Sequence, residues 1–154
     1  MIQRIQSLFL LVSMILCGIL FFTPFSECLS VTGQLYELTC RGLFHLTSSG
    51  KEAISINLAL TAFLVVIFVF HLTSIFLYKN RIRQIRFVVA SIILLIAYWA
   101  IIIYLGYSFS NALKLSMEIK FSTSLFLIAA IFDYLAIHFI RKDEALVRSV
   151  DRIR

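Results

Sequence analysis

The chain has 154 residues, of which 61% are hydrophobic and only 14% charged, and its formal net charge is +6. Soluble domains carry about 25% charged residues, so this composition excludes an ordinary soluble globule and leaves a bilayer resident whose apolar surface lipid can cover. The surplus of cations does not indicate nucleic acid, because they gather at the edges of long apolar runs and no zinc-finger or base-stacking motif accompanies them.

The first apolar run covers about residues 5–23, opened by Arg4 and ended near Pro24. It is longer than the core of a signal peptide, and Ser26-Glu27-Cys28 is a poor cleavage site, so a retained spanning helix is expected. Ser7, Met14 and Gly18 lie along one side of it, with Ser13 and Cys17 nearby, and small residues admit close helix approach. Residues 24–52 are the longest polar connection and read as an outer loop. Within it Gln34 to Cys40 alternates polar and apolar, as a short strand would. Thr32-Gly33 supplies a turn signal. A hairpin centred near Gln34 would set Cys28 opposite Cys40.

The second apolar run covers about residues 53–78. It shows a small-residue face of Ser55, Ala59 and Ala62, and a sparse polar stripe of Asn57, His71, Ser74 and Tyr78. A basic elbow follows at 79–86, with Lys79, Arg81, Arg83 and Arg86 and no acid. So polar a stretch belongs at a membrane face, and the positive-inside rule puts that face in the cytoplasm. The third run covers about 87–109, the fourth about 121–140, and residues 141–154 form a charged tail. In the fourth run Ser122, Ala129, Asp133 and Ala136 share one face, which should point inward. In the tail Leu146, Val150 and Ile153 recur at helical spacing, the pattern of a short amphipathic helix.

Four spans place both termini and the elbow on one side. Ten of the fourteen cations fall there, so an N-in/C-in topology is expected. The fold expected is therefore all-α: an integral membrane four-helix bundle with a short cytoplasmic C-terminal helix, in a single domain over 1–154.

Three pieces of the chain support a resemblance. They are the opening Met1-Ile-Gln-Arg-Ile-Gln6, the elbow's Tyr78-Lys-Asn-Arg81 with Gln84-Ile-Arg86, and the ending Arg141-Lys-Asp-Glu144 with Leu146-Val-Arg-Ser149 and Asp151-Arg152. The chain resembles, end to end, a Bacteroidota-type family of small four-helix membrane proteins catalogued as domain of unknown function 4293. The resemblance implies a four-span protein of a bacterial inner membrane and assigns no functional residue. The family pattern carries an Asn-Arg pair just before the tail, where this chain has Ile137-His138, and it gives Asp133 no role.

Candidate chemistry is sparse. An acid deep in a span costs about 2.5–3.5 kcal/mol on insertion scales, so Asp133 needs a partner. His71 and Asp133 each precede a basic residue, Lys79 and Arg141, by eight positions, or roughly 12 Å of helix. A buried His71–Asp133 contact is expected, either as interhelical glue or as a proton or cation relay. Cys28 and Cys40 read as a structural disulfide, as free thiols or, least well supported, as a redox pair. Three histidines at three heights make no metal site, and no cofactor site, nucleotide loop, Ser-His-Asp arrangement or paired-carboxylate site is visible.

The functional expectation is a non-enzymatic inner-membrane protein, an accessory or assembly subunit with a membrane partner or a second copy of itself. Lys79, Arg81, Arg86, Arg148 and Arg152 would contact the partner or lipid headgroups. A small ion- or proton-coupled carrier using Asp133 and His71, and a redox membrane protein using Cys28 and Cys40, are the alternatives.

Overall fold

The computed structural model describes residues 3–30, 33–48, 50–113 and 116–151. Four helices carry most of the chain: α1 at Gln3–Ile19, α2 at Leu58–Phe76, α3 at Arg81–Leu113 and α4 at Leu125–Asp151. Each packs on two others, α1 and α3 both lying against α2 and α4. Stretches of α2, α3 and α4 are long and apolar enough to cross a membrane, and α1 is a shorter apolar helix.

The fold is not all-α, and a bare four-helix bundle does not describe it. Between α1 and α2 run β1 at Ser26–Leu29, β2 at Leu35–Thr39, β3 at Gly42–Thr47 and β4 at Gly50–Ile56. A fifth strand, β5 at Ser116–Ile119, comes from the connection between α3 and α4. Together they form an antiparallel sheet in the order β4-β3-β2-β1-β5, which makes the fold mixed α/β. The stretch read as an outer loop is therefore mostly sheet. Ala53–Ile56, assigned by hydropathy to the second span, is strand, and α2 starts only at Leu58. Its Ile54-Ser55-Ile56 alternation is a strand pattern that a hydropathy count cannot separate from the helix that follows.

The register explains how the sheet seats on the helices. Ser26 faces Leu38, Cys28 faces Tyr36, and Leu38 faces Leu43. Ser26, Cys28, Leu38 and Leu43 are all buried, and Leu38 and Leu43 join a core with Cys17, Leu20, Leu60 and Leu64. The other face carries a cross-strand row of three acids, Glu118–Glu27–Glu37, continued by Phe44 and Ala53. Like charges side by side across strands repel. Lys120 pairs with Glu27 and Lys51 with Glu37, which offsets two of the three.

Hydrogen bonds tie the sheet to the helix ends. Thr61 Oγ1 donates to the Cys40 carbonyl at 2.8 Å, and Thr123 Oγ1 and the Lys120 N–H both donate to the Phe25 carbonyl. Beneath the sheet Tyr98 is fully buried, with its ring against Phe25, Phe63 and Phe126 at centroid distances of 6.2, 5.4 and 5.1 Å.

The opposite end of the molecule is closed by the elbow. It is tighter than expected: a 3-10 turn at Leu77–Lys79, then Asn80, then α3 beginning at Arg81. Arg81, Arg83 and Arg86 thus sit in the first two turns of a helix. Cations at a helix N-terminus oppose its dipole, so helix stability does not account for them. Arg81 is bound to Asp143 of α4, with Nη2 at 2.9 Å from Oδ2 and Nη1 donating to the Asp143 carbonyl at 3.1 Å. Gln84 Nε2 donates to the Ser74 carbonyl and Gln6 Nε2 to the Phe139 carbonyl, so all four helices are tied in pairs at this end.

Candidate functional site

The polar groups at the centre of the helices come one from each helix. On α1 the buried face is Gln6, Leu10, Ser13 and Cys17, continued by Leu20 just past its end, spaced by four and three. It is not the Ser7, Met14 and Gly18 side. On α2 the buried face is Leu60, Leu64, Ile67, His71 and Ser74. Ala59 and Ala62, read as a packing face, are exposed. Ser91 is buried on α3, and Ala129, Asp133 and Ala136 are buried on α4. These faces bring Ser13, His71, Ser91 and Asp133 to one point, each with no more than 1% of its surface exposed.

The contacts are specific. His71 Nε2 lies 2.9 Å from Asp133 Oδ2 and 3.0 Å from Ser13 Oγ. His71 Nδ1 lies 2.9 Å from the Ile67 carbonyl oxygen. Ser91 Oγ lies 3.1 Å from Asp133 Oδ2 and 2.8 Å from the Val88 carbonyl, and Ser13 Oγ lies 3.2 Å from the Ala129 carbonyl. A carbonyl only accepts, so Nδ1 must carry a proton. That leaves one proton for the Nε2–Oδ2 axis. On the ring it makes an imidazolium facing a carboxylate; on the oxygen it makes a neutral acid facing a neutral ring. Both arrangements are net neutral, which is what an apolar interior tolerates.

Ser13, His71 and Asp133 are residue types that also make a nucleophilic triad, and the sequence showed no such grouping. The geometry is nevertheless wrong for one. A triad histidine meets the serine with one ring nitrogen and the acid with the other. Here both reach Nε2, and Nδ1 is held by backbone. Solvent also has no access to the serine oxygen, which is fully buried. Sequence reading missed Ser91 altogether and took Ser13 only as a small packing residue, since each is a lone serine in an apolar run.

Cys28 and Cys40 do not face each other. The β1–β2 hairpin closes between Ser30 and Gln34, with Gly33 at φ 78, and its register sets Cys28 opposite Tyr36. Both thiols are free and buried. Burial pushes each thiol above its ordinary pKa, only partly offset by Ser26 at Cys28 and by Arg41 at Cys40. A raised thiol pKa means little thiolate near neutral pH, which is unfavourable for redox chemistry.

Of the five cations expected to meet a partner, Arg81 is already occupied by Asp143, and Arg86 is exposed on α3. The side chains of Lys79 and Arg148, and all of Arg152, lie outside the described residues. His45 stacks on Tyr36 at a centroid distance of 4.9 Å, and His138 is exposed beside Phe139. Among the described residues no group of three histidine, cysteine or acidic side chains is arranged to hold a metal ion.

A family model described as Domain of unknown function (DUF4293) matches residues 2–153. No curated protein matches the chain.

Proposed function

The chain belongs to the DUF4293 family, and from that premise we propose that it is a non-enzymatic protein of a bacterial inner membrane, an accessory or assembly subunit for a membrane partner. All four helices cross the bilayer in this reading. Both termini and the elbow lie in the cytoplasm, and the sheet lies on the far side. The distribution of cations supports the orientation. The position of Ser13 supports the fourth crossing. It meets His71 and the Ala129 carbonyl at the same depth as the polar groups of the other helices. At 17 residues, α1 spans roughly 25 Å, slightly short of the hydrocarbon core. A small mismatch of that kind is accommodated by local thinning or by the residues that flank the helix.

The observation that carries the non-enzymatic reading is how the central polar atoms are used. His71 Nε2, both serine hydroxyls and Asp133 Oδ2 are engaged in holding α1, α2, α3 and α4 to one another, and His71 Nδ1 is engaged by the Ile67 carbonyl of its own helix. The cluster lines neither the cleft at the sheet end, among Phe21, Arg41 and Lys51, nor the one beside the elbow, among Gln6, Tyr78 and Arg81. It acts as an interhelical clamp, which leaves the ends of the molecule for partners. Arg83, Arg86, Arg141 and Lys142 are exposed at the elbow end and form the proposed contact surface.

Cross-linking in native membranes, followed by affinity purification in mild detergent, tests this. A stoichiometric membrane partner, lost on charge reversal at Arg83 and Arg86, is the expected result. A chain recovered alone, with Asp133→Asn abolishing a proton-coupled flux in vesicles, would instead establish the carrier.

A further inference from the structure

At the sheet end a cleft of about 340 Å³ is lined by Phe21, Phe22, Thr39, Arg41, Phe44 and Lys51. We propose that it holds the headgroup end of an anionic phospholipid from the leaflet on the sheet side. The inference rests on the bilayer reading above and adds a ligand to it.

The lining divides by chemistry. Phe21 and Phe22 lie two and three residues past the end of α1, and Phe22 is 85% exposed, a large apolar surface close to where the helix ends. Phe44 comes from β3 and adds a third ring. The polar wall is Thr39, Arg41 and Lys51. Thr39, Phe44 and Lys51 project from the same sheet face as Glu37, since Glu37 faces Phe44 and Leu46 faces Lys51 in the register. Lys51 is bound by Glu37. Arg41, in the β2–β3 turn, is exposed, and among the described residues it makes no ion pair.

The cleft thus offers one uncommitted guanidinium, a half-neutralised ammonium and three aromatic rings. A planar guanidinium fork suits a phosphate better than a point charge does. The rings suit the glycerol and first acyl carbons, and aromatic residues favour this depth of a bilayer. A volume of this size takes a headgroup with its glycerol rather than a whole lipid. A free phosphate would meet the same cation but would leave Phe21 and Phe22 uncovered.

The test is native mass spectrometry of the full chain in detergent, titrated with phosphatidylglycerol or phosphatidylcholine, with and without inorganic phosphate. Phosphatidylglycerol should bind about tenfold more tightly, the scale of one charge-assisted contact. Arg41→Gln should remove that preference, and Arg41→Lys should restore part of it. Phe22→Ser should weaken both lipids alike. Thermal unfolding of Arg41→Gln should match the parent, which confirms an intact fold. Equal binding of the two lipids, or an unchanged preference in Arg41→Gln, would overturn the proposal. So would displacement of phosphatidylglycerol by equimolar inorganic phosphate, which would make this a free-phosphate site. Flotation of the chain with vesicles tests the bilayer reading separately, because it does not depend on Arg41.

Discussion

His71 cannot be replaced by an apolar residue without leaving Asp133 and Ser13 short of a partner. Its Nδ1 serves the Ile67 carbonyl and its Nε2 serves Asp133. Asp133→Ala should therefore cost about 1–3 kcal/mol, the range for an unsatisfied buried group. Asp133→Asn keeps an amide N–H that can bond Nε2 of a ring protonated at Nδ1, so it should cost clearly less. Thermal unfolding in one detergent compares the two, and equal losses would mean that the charge of the pair, not the bridge, matters. The thiols give a second residue-scale expectation. Because burial raises the pKa of Cys28 and Cys40, their thiolate fraction at any pH stays below that of free cysteine and grows as pH rises. Iodoacetamide labelling at pH 8 should be slow in the folded chain and complete after denaturation, with no change in mobility on reduction. A reductant-sensitive bridge between them would refute the free-thiol assignment.

Among the elements, the sheet depends most on one turn. Gly42 has φ 132, and a Cβ there would meet the Ser55 carbonyl, whereas Gly33 has φ 78 and open space around it. Gly33→Ala should cost about 1 kcal/mol for the backbone alone, and Gly42→Ala more, because β3 and β4 must also part. Hydrogen exchange of the β4 amides would show the difference, and equal protection in the two variants would contradict it. The acidic row makes a further case. Lys120→Gln leaves Glu27 between Glu37 and Glu118 with one cation fewer, and should cost about 0.2–1 kcal/mol at these half-exposed positions. Glu118→Gln should recover part of the loss, and high salt should shrink it.

The elements were unequally legible in the chain. Apolar length revealed the helices, and the alternation from Gln34 to Cys40 revealed β2, because both signals are local. The sheet as a whole was hidden, since β1 and β5 have four residues each and pair across 87 to 93 positions. The central cluster was half visible. Asp133 and His71 stand out as costly groups at matched depth. Ser13 and Ser91 become meaningful only once packing turns them toward the acid.

For the whole molecule, the central claim is an orientation: both chain termini and the elbow toward the cytoplasm, the sheet away from it. Its polar ties divide the same way. Arg81–Asp143 and Gln84–Ser74 fasten the elbow end, while Thr61–Cys40 and Thr123–Phe25 fasten the sheet to the opposite helix ends. The native cysteines are buried, so exposed sites can be labelled selectively. The direct measurement introduces Leu35→Cys in the sheet and Asn80→Cys in the elbow, both exposed positions, and treats cells with a membrane-impermeant maleimide. Leu35→Cys should react once the outer membrane is permeable, and Asn80→Cys only after the inner membrane is broken; labelling of Asn80→Cys in cells whose inner membrane is intact would contradict the account.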